Sequence, residues 1–161
     1  PSFDKNRSVC ADSLFFESDG SIRMVKPTLR GIGISKATSD IQLDRYSAIS
    51  HTGAAIEYLD TANCFAGWET IFSSPEAWVR YNTVQFDGEC NGAVLRVKAP
   101  GGGTLLLQSD QKTVAKVNVP ESSDWTEVPV RVKGIKKGIN NLIVKSASDQ
   151  EIHVDWIRFT K

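Results

Sequence analysis

Only two imidazoles occur in the 161-residue chain, His51 and His153, and the second stands two residues before a carboxylate. In the closing stretch Glu151-Ile-His-Val-Asp-Trp-Ile-Arg-Phe159, a period of two places Ile152, Val154 and Trp156 on one face. His153, Asp155, Ile157 and Phe159 then fall on the other. Bulk on both faces reads as a buried strand. A polar pair inside such a strand must be hydrogen-bonded, bound to a metal or open to a ligand. His51, in Ser50-His-Thr-Gly53, reads as a solvated turn residue. Self-contained catalysis finds little support. There is no Gly-x-Ser-x-Gly elbow, phosphate-binding loop or His-Glu-x-x-His motif. The carboxylates Asp44, Glu57, Asp60, Glu69, Glu76 and Asp155 are scattered, and chance alone would bring some two of them together in a fold of this size.

The aromatic residues point elsewhere. Trp78 and Trp156 sit in strand-like runs with apolar neighbours and read as core. Trp125 follows Pro120-Glu-Ser-Ser-Asp124, a polar loop by composition, and Trp68 and Phe72 lie in the interstrand stretch 67–75. A large ring in hydrophilic surroundings carries apolar area that needs a use. Such a ring fits the C–H face of a pyranose; equally, Trp125 can tuck over the edge of a sandwich.

The elements that must position these residues are strands. Runs at 77–86, 92–98, 104–108, 113–119, 126–132 and 141–145 recur with turn punctuation, and no window of a dozen residues has a helical period. Pro129 cannot donate to a ladder, so its strand belongs at an edge or a bulge. Ahead of them, 8–16 and 21–25 flank Asp19-Gly20 as a hairpin, and 28–39 is a linker by composition. The balance of 19 basic and 19 acidic residues offers no field for nucleic acid or an anionic membrane, and no apolar run reaches the roughly 18 residues of a membrane span. The start is no signal peptide and has no Met, so a fragment of a longer precursor is expected. Of Cys10, Cys64 and Cys90, Cys64 with Cys90 is the preferred bridge in a secreted protein, with three free thiols as the alternative.

Five stretches, in order, resemble family 6 carbohydrate-binding modules. They are Ile41-Gln-Leu-Asp-Arg-Tyr-Ser47, Ala77-Trp-Val-Arg-Tyr-Asn-Thr-Val-Gln-Phe86, Gly102-Gly-Thr-Leu-Leu-Leu-Gln108, Val119-Pro-Glu-Ser-Ser-Asp-Trp-Thr126 and Val154-Asp-Trp-Ile-Arg-Phe159. Residues 6–25 resemble the C-terminal tail of family 43 glycoside hydrolases. The resemblance implies an all-β, jelly-roll β-sandwich at 40–161, with a short N-terminal β-hairpin extension at 1–27 from a glycosidase-like domain and a linker at 28–39. It implies a non-catalytic module that binds polysaccharide or oligosaccharide, xylan, arabinoxylan or β-glucan, for a catalytic domain of the same precursor. The runner-up is an accessory domain that packs on that catalytic domain without binding sugar. A secreted, periplasmic or cell-surface bacterial protein of xylan degradation is expected. On the family's pattern Trp125 is the first sugar-stacking ring, Trp68 the second with Phe72 as alternate, and His153 replaces the Asn that bonds hydroxyls. A structural calcium falls to Gln42, Asp44 and Asp155, with a backbone carbonyl, Phe65, completing the shell.

Overall fold

The computed structural model describes residues 11–161 and contains strands but no helix among them. In chain order the strands are β1 (Ser35–Lys36), β2 (Ile41–Gln42), β3 (Ala48–Ile49), β4 (Ala54–Tyr58), β5 (Trp68–Phe72) and β6 (Trp78–Phe86). There follow β7 (Gly92–Ala99), β8 (Gly103–Ser109), β9 (Lys112–Val119), β10 (Ser122–Arg131), β11 (Gly138–Ser146) and β12 (Ile152–Thr160). One sheet runs β1-β6-β11-β8-β9, with β3 also on β6; the other runs β10-β7-β12-β5-β4, with β2 also on β12. Every pairing is antiparallel except β1 with β6. Two packed sheets of this kind make the expected all-β sandwich.

Alternation builds the core. Ala93, Leu95, Val97 and Ala99 of β7 point inward, as do Val79, Tyr81, Val84 and Phe86 of β6 and Leu105 and Leu107 of β8. Pro129 lies on β10, which pairs only with β7, so the missing amide faces no partner strand. The expected edge is confirmed.

The closing strand departs from simple alternation. The ladder between β12 and β7 pairs Val154 with Val97 and then Trp156 with Arg96, so Asp155 is an extra residue at a bulge. A bulge shifts the phase of everything after it. Ile152, Val154, Ile157 and Phe159 are therefore the core-facing set, and Trp156 turns outward under the Arg158 guanidinium, 4.8 Å from its ring centre. The expectation of a core Trp156 is corrected. Trp78 is also only half-buried and outside the core, because its neighbour Val79 takes the inward position.

The N-terminal segment touches the sandwich lightly. Asp19-Gly20 makes the expected turn, and the two arms of the hairpin are joined by one β-bridge, Phe16 to Ile22, and by the Arg23–Glu17 ion pair; residues 8–10 lie outside the described part. Leu14, Phe15, Phe16, Ile22 and Met24 are each more than half exposed. The composition-defined linker is tied down along its length, by Arg30 in its first half and by β1 on β6 in its second. Arg30 donates to the carbonyls of Asn82 and Gly33 at 3.2 and 2.9 Å and lies over the Tyr81 ring. Beneath it Thr83 takes a positive φ of 58°, strained for a β-branched residue. Its hydroxyl donates to Gly33 O at 3.0 Å.

Cys64 and Cys90 are free thiols rather than a bridge. Cys90 Sγ faces the carbonyl oxygens of Gly92 and Thr160, both at 3.3 Å, and burial raises its pKa. Cys10 lies outside the described residues.

Candidate functional site

The outer face of the second sheet gathers most of the chain's unusual chemistry. Because Ala93 through Ala99 alternate inward, Arg96 and Lys98 of β7 must point out. Register then sets a row across the sheet: Ile71 on β5 stands opposite His153 on β12, and His153 opposite Lys98 on β7. On β10 the ladder jumps from Ser122–Ala99 to Thr126–Val97, leaving Trp125 at an irregular stretch beside Lys98. Trp125 is thus a strand residue at a bulge, not a member of a free loop. It is half-buried, with Arg96 Cζ 5.0 Å and Lys98 Nζ 5.1 Å from its ring centre.

His153 is buried, and both ring nitrogens are engaged. Nδ1 lies 3.0 Å from Glu69 Oε2 and Nε2 lies 2.9 Å from Glu151 Oε1. A ring nitrogen that carries a proton donates to the carboxylate oxygen facing it. Glu69, only 5% exposed, can sit this deep because it has that partner. The consequence for ligand binding is direct. An imidazole with both nitrogens committed offers no free ring nitrogen to a ligand. Glu69, Glu151 and Lys98 were not legible as site residues, because their convergence depends on strand register.

The second ring position resolves differently from either expectation. Phe72 is fully buried between Ala54 and Ile152, so it cannot stack on a sugar; it is a core residue. Trp68 opens the same strand, 43% exposed, and stacks on Tyr58 with ring centres 4.1 Å apart. It lines a separate cleft of ≈ 650 Å³ with Leu29, Arg30, Asp44, Tyr46 and Ile56. On the row shared by Trp125 and His153, β5 contributes Ile71. Trp125 and His153 are therefore brought together, while Trp68 belongs to the neighbouring cleft.

The expected calcium ligands divide in the same way. Gln42 pairs with Trp156, next to Asp155, and buried Ile41 and Leu43 leave Gln42 and Asp44 on the opposite side of the chain at the end of β2. Asp44 Oδ1 is buried with no hydrogen-bond partner. Burial holds the Asp44 carboxyl above its usual range, and the nearby Asp155 charge adds to the effect against the pull of Arg45. An orphaned carboxylate oxygen within the electrostatic reach of a second carboxylate suits a hard divalent cation. Arg96 competes for the same charge, since its guanidinium is seated on Asp155 Oδ2. Phe65 stands on the loop between β4 and β5 with its ring 96% exposed and its amide bonded to Asn63 Oδ1. No cluster of three or more His, Cys, Asp or Glu capable of holding a metal occurs among the described residues.

No family model and no curated protein matches this sequence. Solved structures do match its fold. A β-1,3-glucan-binding family 6 carbohydrate-binding module from Bacillus halodurans superposes with a TM-score of 0.70 at 21% identity, covering 80% of this chain and all of that one. A family 43 arabinoxylan arabinofuranohydrolase from Bacillus subtilis, in complex with cellotetraose, gives 0.70 at 18% identity. That match takes in 93% of this chain and 33% of the enzyme. A family 36 carbohydrate-binding module in complex with calcium and xylotriose gives 0.60 at 16% identity, covering 76% and 99%. The fold is that of the family 6 carbohydrate-binding modules, a jelly-roll sandwich.

Proposed function

We propose that this chain is a non-catalytic carbohydrate-binding module that holds an appended glycoside hydrolase on plant polysaccharide, xylan, arabinoxylan or β-glucan. The observation that carries this reading is Trp125, a ring held at a bulged strand on the outer face of the sheet, beside Lys98 and the Glu69–His153–Glu151 chain. It stands in a fold whose solved members include a β-1,3-glucan-binding module. Tethering raises the effective concentration of substrate around the attached enzyme. Affinity at one site is modest, because a stacked ring and a few hydrogen bonds only narrowly exceed the cost of association. Retention of the chain on insoluble xylan and β-glucan, and its loss in Trp125→Ala, tests the proposal.

Residues 1–27 are, on this reading, the end of a preceding glycosidase domain. The support is the row of exposed apolar side chains from Leu14 to Met24, which a water-facing tail has no reason to carry. The arabinofuranohydrolase match, which extends beyond the 80% reached by the glucan-binding module, supports it too. A secreted or cell-surface bacterial protein follows from the same reading. Asp44, Asp155 and Gln42 would hold a calcium ion whose contribution is structural, drawing the start of β2 onto the bulge of β12. A second reading, an accessory domain that packs on its enzyme without holding sugar, is favoured by one observation: both nitrogens of His153 are taken. Binding assays on the same two polysaccharides separate the two.

A further inference from the structure

The charge beside Trp125 exceeds what a neutral sugar site needs. Glu69, Glu151, Asp155, Arg96, Lys98 and His153 share the outer face of the second sheet, and five of them are joined in side-chain contacts, three carboxylates with Arg96 and His153. His153 bridges the two glutamates, and Arg96 is seated on Asp155. Lys98 is the exception: it enters no salt bridge among the described residues, and its Nζ lies against the Trp125 ring. It is half-buried on a strand whose register holds it next to that ring.

A ligand stacked on Trp125 removes water from the ammonium beside it. A neutral hydroxyl returns one hydrogen bond and leaves the charge uncompensated, whereas an anion returns a charge-assisted bond and cancels it. Arg96 cannot take this role while it neutralises Asp155. We propose that Trp125 and Lys98 form a subsite for an anionic pyranose, one that carries a carboxylate or a sulfate ester. The ring covers the C–H face of the sugar and the ammonium receives its anion. This rests on the reading of Trp125 as the sugar-stacking ring and adds the class of sugar that the ring prefers.

The test is calorimetric titration of the whole chain with three probes of matched length. They are a neutral xylo-oligosaccharide, the same oligosaccharide bearing glucuronic acid, and a sulfated galactan oligosaccharide. The expected result is that at least one anionic probe binds about five- to tenfold more tightly than the neutral one. Whichever anionic probe does so identifies the source, uronate or sulfate ester. The preference shrinks as salt rises from about 0.02 to about 0.5 M, as an exposed charge contact must. Lys98→Met abolishes the preference, because it lowers affinity for the anionic probe by more than it lowers affinity for the neutral one. Lys98→Gln, run in parallel, guards against a folding defect in the first variant. Equal affinity for all three probes, with no effect of either variant, overturns the anionic subsite and leaves the neutral sugar-binding function standing. Failure of the unaltered chain to bind any probe overturns both.

Discussion

Chelation separates the structural half of this account from the sugar-binding half. The Asp44 Oδ1 atom is buried without a donor, and an orphaned polar atom costs about 1–3 kcal/mol. A calcium ion shared with Asp155 removes that cost and adds binding free energy that only the folded state collects. At a free concentration one hundred times Kd the gain is about 2.7 kcal/mol. A domain of this size shifts its midpoint by about 2–4 °C per kcal/mol, so EGTA should lower the Tm by roughly 5–11 °C on the same arithmetic. Scanning calorimetry with calcium and with chelator measures it. Asp44→Asn should erase the calcium-dependent increment. In chelator the variant should melt at or above the unaltered chain at neutral pH, because the pKa of Asp44 is raised in the fold by burial and by Asp155. The sign follows from that direction. Below 3.8, the ordinary value, folded and unfolded states both hold the proton and Asp44 costs nothing; stability is lost as pH rises through the raised folded pKa. The gap between chelated variant and chelated parent should therefore open as pH rises above 3.8, be complete above the raised folded value, and close in stronger acid. A Tm indifferent to chelator, or an Asp44→Asn variant that keeps the full calcium increment, refutes the reasoning.

Two further outcomes follow from the buried polar groups. His153→Asn alone leaves Glu69 uncompensated at 5% exposure and should destabilise the fold by about 3–5 kcal/mol in urea denaturation. Adding Glu69→Gln should recover most of the loss, and a single variant as stable as the parent contradicts the pairing. Arg30→Ala removes the clasp on the Asn82 and Gly33 carbonyls above strained Thr83. It should cost about 1–2 kcal/mol and speed hydrogen exchange at 30–36, while β12 amides stay protected; unchanged exchange there argues against the clasp.

The sandwich was legible because its middle strands alternate cleanly and are punctuated by turns: β6, β7, β8, β9 and β11 lie within a few residues of the runs read from pattern. Pro129 also named its own edge. What alternation could not show is a change of phase. A single extra residue at Asp155 turned Trp156 outward and let Ile157 and Phe159 share the core with Val154. The stretch from Trp68 to Phe72 mixes polar and apolar residues, reads as a loop, and is a strand beside β12 because Thr70 and Phe72 face the core while Glu69 meets His153. Trp125 and His153 were found from residue type and from family resemblance. Lys98, Glu69 and Ile71 were not, since nothing local distinguishes them from other strand residues. Their role comes only from the row that register draws across the sheet.

The most direct test of the central claim is retention of the chain on xylan and β-glucan, compared between the unaltered protein and Trp125→Ala. The account predicts that the unaltered chain is retarded and the variant runs free. Trp125 lies outside the hydrophobic core, on the outer face, so the variant's Tm should fall by no more than about 4 °C, the shift for roughly 1 kcal/mol. A variant that is retained as strongly as its parent, or a parent that passes through both polysaccharides unretarded, contradicts it.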